Sequence, residues 1–152
     1  MTDFERSGSR IVVGVDGSAH SHQALEWALA YAEELHLDVT AVHAWQFPYA
    51  YGSGATILAA EDFSAQARRV LDGAVDKAAA GHPSVRIARH VVEGHPARVL
   101  IEQSKGAHML IVGSRGHGAF VGAFIGSVSQ HCVSRAHCPV LIVREADRPD
   151  AG

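Results

Sequence analysis

The sequence predicts an α/β fold, a doubly wound five-stranded parallel sheet of order 3-2-1-4-5 with four helices. Three observations predict it. Short apolar runs alternate with helical patterns along the chain, which is the rhythm of successive βαβ units. Two of these runs, IVVGVD at 11–16 and MLIV at 109–112, are too apolar to keep a water-facing side, so they read as central parallel strands. A third run, at 85–92, mixes polar and apolar residues and suits an edge. The order 3-2-1-4-5 places the first two side by side in the middle and the third outside.

Each element follows in turn. The first strand, Ile11 to Asp16, is turned by Gly17-Ser18 into a helix reaching about His36. In that helix Ala24, Leu25, Ala28, Leu29, Ala32 and Leu35 recur at three- and four-residue spacing and form one buried face. Val39 to Ala44 is the second strand. Gln46 to Ile57, rich in glycine, serine and tyrosine, reads as a long loop of the kind that often carries function. A second helix runs from about Ala60 to Ala80, with Phe63, Ala67, Val70, Leu71, Ala74 and Ala78 on one face and Gly81 ending it. The third strand spans Val85 to Val92. Gly94-His95-Pro96 opens a third helix, since proline is tolerated in a first turn, and Gly106 closes it. Met109 to Val112 is the fourth strand. A glycine-rich stretch then leads to a last helix, Ser127 to about Arg135, and Pro139 precedes the fifth strand, Val140 to Val143.

Composition narrows the function classes. With 152 residues the chain is sized for one domain, 1–152, with its core at 10–145 and frayed tails at 1–9 and 146–152. Apolar residues at 47% and charged residues at 19% are globular values and argue against disorder. A formal charge of −3 lacks the basic footprint that nucleic-acid binding needs. No stretch approaches the roughly 18 apolar residues of a membrane span. The opening MTDFERSGSR has no apolar signal region, and two cysteines make no disulfide framework, so a cytoplasmic setting is expected.

In such sheets ligands bind beyond the carboxyl ends of the strands where the order reverses, here between strands one and four. That nominates Asp16 and Gly113. Gly113-Ser114-Arg115-Gly116 and, ten positions on, Gly126-Ser127 make a phosphate cradle. Glycines let the backbone turn and approach a ligand closely, and successive N–H groups in such turns hold anions. Gly126-Ser127 also stands at a helix N-terminus, where free N–H groups and the helix dipole favour negative charge. Ser127-Val128-Ser129-Gln130 fits a capping box, with Ser127 capping its own helix. Taken alone, the glycines equally suit ordinary turns. The stretch is not a Walker A loop, since no lysine precedes Ser127, and VGVDGS lacks the spacing of a dinucleotide fingerprint.

Gly113, two residues, Gly116, nine residues and Gly126-Ser127 resemble the ATP-binding signature of the universal stress protein family. IVVGVDGS resembles that family's opening segment and HCPVLIVR its closing strand, so the resemblance spans Ile11 to Arg144. It implies a Rossmann-like fold of the order already inferred, with ATP as the ligand, with or without Mg²⁺. It further implies that Asp16 meets the ribose or adenosine end and that Ala44 offers backbone groups to adenine. Gly113, Gly116, Gly126, Ser127 and the N–H of Val128 would then hold the ribose and phosphates. A carboxylate beside a sugar accepts two hydroxyl donors; the lesser alternative is that Asp16 only caps the turn after it. Arg115 suits either a phosphate or solvent.

Other residues read more plainly. His20 and His22 are two apart and point different ways on a helix, so they are poor joint metal ligands. His117, His131 and His137 flank the last helix and read as solvated or capping residues. Cys132 and Cys138 suit small apolar fillers. Trp27 and Trp45 are expected in the core or at the adenine end. An apolar fifth strand at a sheet edge invites pairing with another chain, and the resemblance implies a homodimer through Val140–Val143. The expected function is regulatory ATP binding in a stress response with little or slow hydrolysis. Two rivals stay open: an ATPase or nucleotidyl-transfer enzyme on the same cradle, and an interaction module that binds cyclic AMP or no nucleotide.

Overall fold

Apolar runs and helical stripes fold as their spacing dictates. The structure is a computed structural model that describes residues 8–47, 56–115 and 125–144. Among these residues the elements alternate as β1 (Arg10–Gly14), α1 (Ala19–Leu35), β2 (Asp38–Trp45), α2 (Thr56–Ala79), β3 (Ile87–Glu93), α3 (Pro96–Gln103), β4 (Met109–Gly113), α4 (Ser127–Arg135) and β5 (Val140–Val143). The strands form one sheet of order β3-β2-β1-β4-β5, every pair parallel. β1 and β4 lie side by side, with Val12 opposite Leu110 and Val13 opposite Ile111.

Strand alternation divides the core between the two faces of the sheet. Ile11, Val13 and Ile111 pack with Leu25, Ala28 and Leu29 of α1 and Leu71 and Val75 of α2. Val12, Leu110 and Val112 pack on the other face with Val99 and Leu100 of α3 and Cys132 of α4. α1 starts where the Ser18 side chain accepts the Ser21 N–H at 3.2 Å. It ends at His36, which takes the left-handed conformation at φ 57°. α3 is capped by His95, whose Nδ1 accepts the Ala97 N–H at 3.2 Å, and Pro96 follows in the first turn.

Several boundaries differ from the sequence reading. α2 begins at Thr56 and not near Ala60, so Thr56 and Ile57 belong to a helix and not to a loop. The reason is that glycine punctuation stops at Gly54. The remainder of that loop, 48–55, lies outside the described residues, as do the tails 1–7 and 145–152. β1 stops at Gly14, two residues before Asp16. Trp27 is not a core residue: it is 50% exposed. The buried stripe of α1 runs through residues 24, 25, 28, 29 and 32 and leaves Trp27 outside, against Tyr31 at a 6.0 Å ring separation. No helix of the described residues is long and apolar enough to cross a membrane.

Candidate functional site

β1 and β4 are neighbours, yet the chain leaves them toward opposite faces, to α1 and to α4. A crevice of about 340 Å³ opens beyond their carboxyl ends. Its floor is apolar, with Val42, Leu100 and Val112, and Pro96 adds to one side. Asp16, Ala44, Gly113, Gly126, Ser127 and Val128 all line it, so the sequence-nominated residues that are described come together. Gly116 lies outside the described residues.

Asp16 leaves β1 and does two things. Its Oδ1 accepts the Ser18 N–H at 2.9 Å, closing the turn that Gly17 makes with φ 82°. The same residue borders the crevice. Its own N–H donates to the Ser21 hydroxyl at 3.2 Å. The turn-capping reading of this carboxylate therefore holds, and the residue also lines the crevice. It is the one carboxylate among the described lining residues.

At β2 the ladder explains why main-chain groups are open. Val39 N–H goes to Arg86 on the β3 side, and Gly94 N–H goes to the Trp45 carbonyl, also on that side. Val42 accepts from Val15 on the β1 side. Polar groups of successive strand residues alternate between neighbours, so those of Ala44 point toward β1. No hydrogen bond joins Ala44 to β1 among the described residues. The Val15 carbonyl is held instead by His43 Nδ1 at 2.6 Å. The β1–β2 ladder thus stops after the Val15 N–H, which is why β1 ends short of the sequence reading.

The α4 wall supplies donors. Gly126 is the N-cap, with φ −69° and ψ 163° and no side-chain cap. Ser127 is therefore the first helical residue and does not cap its helix. The Gln130 side chain donates to the Ile125 carbonyl at 3.3 Å, so the capping box expected from SVSQ does not form. The physical reason lies outside the helix. Gly126 N–H donates to the Ser114 carbonyl at 2.7 Å, and that tether fixes the turn one residue earlier. The first helical bond runs from Gln130 N–H to the Gly126 carbonyl. The N–H groups of Ser127, Val128 and Ser129 carry no hydrogen bond among the described residues. Together with the helix dipole they make an end whose chemistry suits an anion. Gly126 contributes no free N–H to it.

Gly113 also has a reason other than the one its sequence suggests. A Cβ there would lie 2.8 Å from the His20 backbone carbon and 2.9 Å from the His20 Cβ. The missing side chain lets the start of α1 press against the end of β4. The Ser129 hydroxyl donates to the Gly113 carbonyl at 2.7 Å and draws α4 to the same point.

His43, Ser21 and Ser129 line the crevice and escaped the sequence reading. Position 43 adjoins the nominated Ala44, which was the available signal; the two serines gave none. Arg115 borders the crevice too. Trp45 is not among the described lining residues. His20 faces the Ser114 hydroxyl at 3.4 Å while His22 faces Glu26 at 3.7 Å, so the pair diverges as their spacing implies. Cys132 is fully buried, and burial pushes its thiol up to about 11. Burial pushes the Cys138 thiol up as well.

The family model described as the universal stress protein family matches residues 9–144. Universal stress protein Rv2623 of Mycobacterium tuberculosis is 34% identical over 147 residues, covering 90% of this chain and 45% of that protein. The chain thus spans less than half the length of that relative. Universal stress protein UspA from Lactobacillus plantarum superposes with a TM-score of 0.77 at 20% identity, covering 90% of this chain and 97% of the other. A universal stress protein solved in complex with cAMP superposes at 0.69 with 28% identity, covering 91% and 98%. The sheet order, the crevice at its reversal and the match across nearly the whole described length agree: the chain belongs to the universal stress protein family.

Proposed function

We propose that the crevice binds an adenine nucleotide, ATP first among them, as a regulatory ligand. The observation that carries this is that Ser127, Val128 and Ser129, whose N–H groups carry no hydrogen bond among the described residues, line the same crevice as Asp16. The first set suits phosphates and the second suits ribose hydroxyls. Ala44, which lines the crevice and makes no hydrogen bond to β1 among the described residues, suits the base. Gly113 and Gly126 shape the wall, Arg115 adds a cation near the phosphates, and Gly116 completes the signature in sequence. Magnesium would arrive with the triphosphate, since Asp16 alone among the described lining residues offers a carboxylate and its Oδ1 already holds the Ser18 N–H. That same scarcity of carboxylates argues for a ligand held and released over a fuel turned over rapidly.

The relative solved with cAMP supports cyclic AMP as the second reading. A single phosphate would leave part of the α4 donor set unused, so the triphosphate is preferred. We further place the chain in the cytoplasm as one unit over 10–145. It pairs as a homodimer along β5, whose Val140, Leu141 and Ile142 are only partly buried at the sheet edge.

Titration calorimetry with ATP, ADP, AMP and cyclic AMP tests the reading. ATP is expected to bind most tightly, with Asp16→Ala weakening every ligand that carries a ribose. Heat from none of the four would refute it, and a clear preference for cyclic AMP would install the second reading.

A further inference from the structure

The ring of His43 occupies a place that the main chain should hold. Val15 N–H donates to the Val42 carbonyl at 2.8 Å, which continues the β1–β2 ladder one step beyond β1. The next bond of a parallel ladder would run from Ala44 N–H to the Val15 carbonyl. That carbonyl accepts from His43 Nδ1 at 2.6 Å, and no bond from Ala44 reaches it. A carbonyl has no proton to give, so Nδ1 carries the hydrogen.

From this geometry we infer that His43 is a positioning residue that unhooks the Ala44 amide from β1 and keeps it open for a ligand's base. The inference rests on the nucleotide reading for the identity of that ligand, but the unhooking stands on the ladder alone. An unpaired strand amide normally pairs with its neighbour or with water. Here the neighbour's acceptor is engaged by the side chain of the adjacent residue, so the amide and carbonyl of Ala44 make no bond to β1 among the described residues, and Ala44 lines the crevice. A base edge that offers a ring nitrogen beside an exocyclic amine can satisfy both. Adenine has such an edge. The same hydrogen bond ties Val15 to β2 and so fixes where Asp16 begins its turn. One imidazole therefore sets the base end and the sugar end together.

Backbone amide exchange, followed residue by residue by NMR on the whole chain without ligand, tests the unhooking. Ala44 should exchange about 100-fold faster than Val42 although both lie in β2. In His43→Val the Val15 carbonyl is released, Ala44 N–H should capture it, and its exchange should slow toward that of Val42. His43→Asn keeps a donor near the Nδ1 position and should restore fast exchange. A slow Ala44 amide in the unaltered chain, or a fast one in His43→Val, overturns the inference. Calorimetry supplies the ligand side. ATP should bind His43→Val about tenfold more weakly or worse while inorganic tripolyphosphate, which has no base, binds it unchanged. Equal weakening of both overturns the base role. If the unaltered chain binds neither while its exchange pattern is as described, the nucleotide reading falls and the His43 hook stands.

Discussion

Ser129 Oγ donates to the Gly113 carbonyl at 2.7 Å in a buried contact that joins the first turn of α4 to the last residue of β4. With the bond from Gly126 N–H to the Ser114 carbonyl, it holds the donor end of α4 against the end of β4. Ser129→Ala would leave the buried carbonyl without its partner and should cost about 1–2 kcal/mol in stability. Urea denaturation measures that, and calorimetry should show weaker ATP binding beyond what the stability loss alone produces.

Ser127 offers a way to separate backbone from side chain. Its hydroxyl does not cap α4, so Ser127→Ala should change stability by less than about 0.5 kcal/mol, where loss of a true cap costs ~1 kcal/mol. Ser127→Pro removes one of the three open N–H groups at a first-turn position that accepts proline. It should leave the melting temperature within a few degrees and weaken ATP several-fold. If the alanine change costs a full capping energy, the assignment of Gly126 as the cap is wrong.

Gly113→Ala should destabilise the fold before it affects any ligand. The added methyl would meet the His20 backbone carbon at 2.8 Å, where rigid main chain cannot yield cheaply. A loss of about 1–3 kcal/mol is expected, as for overpacking elsewhere. Thermal unfolding in the absence of nucleotide reads it. An alanine variant as stable as the original would show that α1 moves aside freely.

Cys132 predicts a pH response. Its thiol is pushed by burial from the ordinary 9.0 up to about 11, so the folded protein holds the proton more tightly than the unfolded chain does. The corresponding stability is fully present below about pH 9 and is lost as pH rises through about 11. Denaturant midpoints between pH 8 and 11 should therefore fall, and the Cys132 part of that slope should vanish in Cys132→Ala. Alkylation at neutral pH should reach Cys138 first, because Cys132 is both protonated and enclosed.

The strand order was legible because apolarity is a one-dimensional signal. The runs at 11–15 and 109–112 have no polar side to show water, and only the middle of a covered sheet accepts two such strands together. The crevice was legible by the same logic, and its described glycines, Asp16 and Ala44 do converge. What escaped was set by partners distant in sequence. The cap of α4 moved from Ser127 to Gly126 because Ser114 holds the Gly126 amide. The early end of β1 depends on His43, 28 residues away. Gly113 is small because of His20 as well as any ligand. Trp27 looked like a core residue by type, and only the phase of the α1 stripe turns it outward.

Val42, Leu100 and Val112 line the crevice and also pack with Val12, Leu110 and Cys132 in the core on the α3 and α4 face of the sheet. A guest resting on that floor touches the same side chains that resist unfolding. Occupancy and thermal endurance are thereby linked by mass action: a ligand at 100 times its dissociation constant would add about 2.7 kcal/mol. The molecule would act as its own gauge of nucleotide concentration, persisting longer against heat and proteases where the cell is well charged and yielding sooner where it is not.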